Sequence, residues 1–322
     1  MTAALFILLY AGGWAFYESV RSMRFLVDVI KGNAALGICA VGMTFVILSG
    51  GIDLSVGSVV ALSTVIIGTC IRAGQHPLLA FSLAIAVAVS MGAGSGYLIH
   101  WLGLPPFLVT LAGMFFARGL AFAINIEPIN IDHPMLDWMM DELGFAVALP
   151  GLGRAWVPST ALLFLAVLSL GILVLRSTSF GRNVLAIGGD RKAAFLMGVP
   201  IGVTTLWLYG ASGLCSGLAG VATTLIDSAG KPNIGFGLEL EAIAAVVIGG
   251  TVLSGGVGSV AGTLLGVLIT GVVRALINLD GRLPSPWHSI TVGLLLLVFI
   301  VMQKAFLRTA PRRGKAEPLA AA

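Results

Sequence analysis

Charged positions divide this chain into long apolar runs. Residues 1–17 form the first. Residues 32–52 form the next and end at Asp53, and 54–71 end at Arg72. The run 73–117 is too long for one membrane helix of roughly 20 residues. Pro105-Pro106 splits it, because proline removes a backbone donor and clashes with the preceding turn. The pattern predicts helices near 78–102 and 105–125, then 157–175, 203–226 and 283–303. Gly255, Gly256 and Gly258 interrupt the run 242–273, which reads as two short helices joined by a tight turn. About ten segments result. Residues 1–17 lack a basic start and a small-residue cleavage site, so they read as a span rather than a signal peptide.

Composition turns this pattern into a class. Of 322 residues, 58% are hydrophobic and 10% charged, against roughly 25% charged in soluble domains. So few charges cannot cover a water-soluble surface. The predicted fold class is an all-α, polytopic integral membrane protein with some helices broken by glycine. Residues 1–308 are read as one transmembrane domain and 309–322 as a basic cytoplasmic tail. The net charge of +4 fits basic cytoplasmic loops better than nucleic-acid binding. Cys39, Cys70 and Cys215 sit in apolar runs as small core residues. The histidines, at 76, 100, 133 and 288, are scattered, so no metal site is expected.

Orientation follows from the bases. Segment 176–200 carries Arg176, Arg182, Arg191 and Lys192 against Asp190. The tail carries Lys304, Arg308, Arg312, Arg313 and Lys315 against Glu317. Segment 127–157 carries Glu127, Asp132, Asp137, Asp141 and Glu142 against Arg154. With ten spans the two basic segments share the cytoplasmic face and 127–157 lies outside. Residues 18–31, with a slight basic excess, fit poorly because the same topology puts them outside. The outer segment has room for a short amphipathic helix near Met135–Leu143. No soluble catalytic domain fits, no nucleophile–base set is visible and no phosphate-binding GxxxxGK[ST] loop occurs, so an enzyme is not expected.

Four strings carry candidate function. In 41–62, Asp53 stands among apolar residues after Gly50-Gly51 and before Ser55 and Gly57. A buried carboxylate should face protein or water rather than lipid. It either staples a broken helix or lines the solute pathway. Arg118, mid-segment after Phe115 and Phe116, needs acceptors; Asp53, Glu239 and Glu241 are candidates. Segment 178–200 is punctuated by Gly181 and Gly188-Gly189, and Asp190 can cap a short helix reaching about Met197. It is either a solvated loop or a docking element. Finally, ILSGGIDLSVGSV (47–59) and VLSGGVGSV (252–260) look alike, and paired broken segments point to a transport pathway. SGLCSGLAG (212–220) reads as a helix-packing surface.

Together these strings resemble the permease subunits of bacterial ATP-binding-cassette importers for ribose, galactose and xylose. The resemblance covers about 25–305. It rests on GMTFVILSGGIDLSVGS (42–58), LPPFLVTLAGMFFARGLA (104–121), FGRNVLAIGGDRKAAFLMG (180–198) and ELEAIAAVVIGGTVLSGGVGSVAGTLLG (239–266). EPINIDHPMLD (127–137), IGGTVLSGGVGS (248–259), INLDG (277–281) and PSPWHSITVGLLLL (284–297) are most similar to one of the two permeases of the galactofuranose importer. Members usually carry a short charged stretch before the first span; here the apolar run begins at Thr2.

The resemblance implies inward movement of a monosaccharide across the bacterial inner membrane by alternating access. It implies a separate ATPase subunit that holds ATP and Mg, a second permease in a homo- or heterodimer, and a periplasmic sugar-binding protein. No cofactor on this chain and no nucleic-acid partner are implied, and membrane lipid surrounds it. It makes 178–200 a cytoplasmic coupling segment, with docking through Phe180, Gly181, Arg182, Ala186, Gly188, Asp190, Ala193 and Ala194. The binding protein would dock over 126–157 and the loops near 227–240 and 279–288. The pathway or gate residues are Asp53, Ser55, Phe115, Phe116 and Arg118. The rival classes are an ion-driven secondary transporter, which would use Asp53, and a channel, for which no filter string is found. A permease for another monosaccharide or for branched-chain amino acids is the nearer alternative.

Overall fold

A computed structural model describes residues 2–149, 151–281 and 286–309. Its helices fall on the apolar runs. They are α1 (Thr2–Phe16), α2 (Met23–Gly32), α3 (Ala34–Leu48), α4 (Val56–Arg72), α5 (Pro77–Trp101), α6 (Pro106–Ile124) and α7 (Pro134–Asp141). After these come α8 (Ser159–Ser177), α9 (Ser179–Gly189), α10 (Arg191–Leu196), α11 (Ile201–Asp227), α12 (Leu238–Ile248), α13 (Val260–Asp280) and α14 (Pro286–Thr309). Among the described residues, six helices are long and apolar enough to cross a membrane. They become seven if α2 and α3, bent by 57°, count as one span. Helices α1 and α4 are apolar but shorter, and α12 is shorter still.

Contacts along the bundle fix its two ends. Helices α3 and α8 run side by side: Gly37 faces Phe164, Gly171 faces Val41, and Phe45 meets Phe180. Their starts therefore share one end with α7, and their C-termini share the other with α9 and α10. At the first end, β1 (Ile129–Asn130) pairs antiparallel with β4 (Ala229–Gly230). A hairpin of β2 (Gly144–Leu149) and β3 (Gly153–Pro158) covers α2, where the Met23 amide donates to Leu152 O at 2.8 Å. Residues 18–31 thus do lie at the acidic end, as the topology requires despite their charge. The hairpin itself is not predicted by the charge pattern, which leaves 144–157 as loop.

Helix α11 lies at the centre, packed on α5, α3 and α4 through the 212–220 string. A side chain at Gly213 would run into the Ala88 carbonyl, and one at Gly220 into Ser63. Cys215 sits against Gly42. In lipid no hydrophobic force draws helices together, so close backbone approach at small residues supplies the association.

The predicted double helix in 242–273 is α12 and α13, separated by 249–259. α12 begins at Leu238 and holds Glu239 and Glu241 in its first turn, where the helix dipole favours anions. Charge alone set the expected start four residues too late. The tail beyond Thr309 and positions 282–285 of the expected outer loop lie outside the described residues.

Candidate functional site

The two glycine breaks meet. After α3, Gly50 adopts φ +81°, a left-handed geometry that glycine takes without Cβ strain. After α12, Gly256 adopts φ +75° and its amide donates to the Leu48 carbonyl at 2.8 Å. That carbonyl is one of the last of α3, left without an intrahelical partner. The likeness of 47–59 to 252–260 is therefore also a spatial pairing. The coupling segment joins it: Gly188, at the end of α9, packs on the Leu48 carbonyl and the Gly256 amide, and Gly189 lies against Gly256. No side chain fits at Gly188.

Asp53 bridges the first break. Its Oδ1 accepts from the Ser55 amide at 2.9 Å and from Ser55 Oγ at 2.6 Å. Its Oδ2 accepts from Ser212 Oγ, on α11, at 2.7 Å. Both Asp53 and Ser55 are buried. The carboxylate thus starts α4 and pins it to the central helix, in line with the staple reading of the sequence. Tyr209 Oη lies close by, against Gly51.

Arg118 does not bond Asp53. Its Nη1 donates to the carbonyls of Pro232 and Ile234 at 2.9 and 2.6 Å, and its guanidinium lies 4.0 Å above the Phe236 ring. These partners are backbone atoms in a turn that the sequence reading assigned only to an outer docking loop, near 227–240. Pro232, Gly235 and Gly237 were the available signal, since they forbid a helix there and leave carbonyls free. Of the acids weighed as partners, Glu241 instead bonds Arg274 at 2.6 Å. Phe115 and Phe116 project from α6 and are exposed.

The coupling segment holds two helices. Thr178 caps α9 by accepting from the Gly181 amide, and Asp190 caps α10 by accepting from the Lys192 and Ala193 amides at 2.8 and 3.0 Å. The second was expected; the first was not. Within the expected docking set, Arg182, Asp190 and Ala193 are exposed and Ala186 is half-buried. Gly181 and Ala194 are buried, and Phe180 turns inward onto Phe45. Phe195, Leu196 and Met197 are 70, 84 and 71% exposed beside Arg191 and Lys192. The sequence reading missed this apolar tip. An apolar triplet in a basic loop, directly behind an Asp cap, was the signal.

Comparison with known proteins places this arrangement. Residues 26–300 match the family model described as "Branched-chain amino acid transport system / permease component". The chain belongs to this permease family. It is 45% identical over 305 residues to the inner membrane ABC transporter permease protein YjfF of Escherichia coli, covering 94% of this chain and 91% of that one. It is 34% identical to the fructose import permease protein FruG of Bifidobacterium longum, covering 94% and 88%. It is 37% identical to the ribose import permease protein RbsC of Bacillus subtilis, covering 87% and 84%. No solved structure matches. The chain is a multi-pass protein of the inner membrane, as its apolar helices require.

Proposed function

We propose that this chain is the membrane-spanning permease subunit of an ATP-binding-cassette importer, and that its cargo is a monosaccharide, galactofuranose. The observation that carries the reading is the contact of Gly188 with both glycine breaks. A push on α9 and α10 from a cytoplasmic partner reaches the ends of α3 and α12 and the linkers to α4 and α13 without an intervening flexible side chain. That linkage suits a machine driven from outside the chain. The names of two relatives, for fructose and ribose import, support a sugar. The strings at 127–137, 248–259, 277–281 and 284–297 favour galactofuranose over these.

The partners follow. An ATPase subunit docks on 178–200, a second permease completes the passage, and a periplasmic binding protein delivers sugar over 126–157 and the neighbouring outer loops. ATP and Mg reside on the ATPase. Asp53 and Ser55 act as the fixed hinge of the gate, and Phe115, Phe116 and Arg118 stand on its mobile side. The polar groups of the passage are sparse, which suits a site that must release its cargo.

The test is uptake into proteoliposomes holding this chain with its co-purifying ATPase and second permease. Binding protein and labelled monosaccharides are added outside. Galactofuranose uptake that needs both ATP and binding protein is expected. Uptake of a different sugar with the same dependence would remove galactofuranose alone. Uptake driven by an ion gradient without ATP would overturn the importer.

A further inference from the structure

Two groups of charged side chains lie within the helical layer, and they differ in one respect. Glu241, Arg274 and His288 form an ion-paired set across α12, α13 and α14, in which His288 Nε2 has no hydrogen-bond partner among the described residues. Arg274 Nη2 donates to Glu241 Oε2 at 2.6 Å, and His288 Nδ1 stands 3.7 Å from Oε1. Here opposite charges meet directly.

The set around Arg118 is open. Only Nη1 has acceptors among the described residues, so the guanidinium keeps donors to offer. Phe236 shows one ring face to Arg118 and is 69% exposed. Glu239 Oε2 is sealed from solvent against Gly57 and has no hydrogen-bond partner among the described residues. The turn carrying these groups pairs with β1 at Ala229–Gly230 and then enters the bundle, reaching Arg118 on α6 and Gly57 in the first turn of α4. Charged groups inside a membrane domain face protein or a water-filled space rather than hydrocarbon. α12 also starts inside the bundle here, as discontinuous helices do at transport sites.

We propose that Arg118 and Phe236 form the patch that touches the sugar in transit, with Glu239 as a buried counter-charge beside Arg118 and residues 231–237 as its wall. This rests on the reading of the chain as a monosaccharide permease. A neutral polyol matches the chemistry: the guanidinium donates to ring or hydroxyl oxygens, and the free face of the Phe236 ring covers sugar C–H bonds. Arg118 has a double task, since it also holds the wall through two carbonyls.

The experiment compares the complete importer with its Phe236→Leu and Glu239→Gln variants in proteoliposomes, reading sugar uptake, ATP hydrolysis stimulated by binding protein, and thermal unfolding. The exposed Phe236 is the variant least able to disturb folding. Uptake is expected to fall about tenfold, the scale of one lost polar or packing contact, while stimulated hydrolysis and unfolding temperature stay unchanged. Variants that transport like the parent overturn the patch. So does a parallel fall of uptake, hydrolysis and unfolding temperature, which marks a structural role. If the unaltered importer fails to carry any monosaccharide, the functional reading itself has failed, and that outcome is separate.

Discussion

Truncating Asp53 leaves the Ser55 amide, Ser55 Oγ and Ser212 Oγ without their acceptor in the buried interior of the bundle. Each stranded donor costs about 1–3 kcal/mol. Asp53→Ala should therefore lower the thermal unfolding temperature of the detergent-purified permease sharply. Asp53→Asn keeps an acceptor oxygen and should lose less. If instead Asp53→Asn leaves stability intact but makes uptake insensitive to an ion gradient, the carboxylate is a coupling site and not a staple. Gly188 and Gly189 offer a sharper pair. A methyl at Gly188 meets the Leu48 carbonyl and the Gly256 amide, whereas nothing lies within 4 Å of one at Gly189. Overpacking costs about 1–3 kcal/mol. Gly188→Ala should separate α9 from the breaks and depress sugar uptake more than ATP hydrolysis, while Gly189→Ala should behave as the parent. Equal behaviour of the two in an uptake assay would remove the contact from the coupling route.

The elements differ in how far their sequence reveals them. Apolar runs bounded by charges located the long helices, because in lipid a span must be both apolar and about twenty residues long. The Asp190 cap located α10, since its oxygen satisfies amides that no helix can satisfy for itself. α9 stayed hidden. Gly181 and Gly188-Gly189 read as breaks by propensity, yet Gly181 rests on the backbone of Val174 and Leu175, and Gly188 on α3, where only glycine fits. Packing overrode propensity. The partners of Arg118 were equally illegible, being carbonyls more than a hundred residues away in a turn whose position depends on β1 pairing with β4. Asp190→Ala tests the cap. It should cost about 1 kcal/mol, seen as faster hydrogen exchange over residues 191–197, and should weaken binding of the ATPase subunit. Unchanged exchange there would mean that packing alone holds α10.

In the whole molecule, the two breaks, the coupling segment and the outer surface form one mechanical sequence. α3 and α12 run toward the α9 end, turn at glycines that touch each other, and continue as α4 and α13 toward the opposite end. α4 meets the outer strands there, with Gly68 against Ile129 and Gly230. A displacement of α9 therefore acts on both breaks at once and reaches the surface where a binding protein would sit. Packed backbones have no slack to absorb such a movement, because interiors are dense and deform between discrete arrangements. Hydrogen exchange on the reconstituted importer with and without ATP reads this directly. Residues 49–55 and 249–259 should change together with 178–200, and Gly188→Ala should uncouple them while the exchange of 178–200 still responds. If one break responds and the other does not, the Leu48–Gly256 hydrogen bond is a static weld. The drive from the ATPase would then have to pass through α8 or α11, the other long helices that α9 touches.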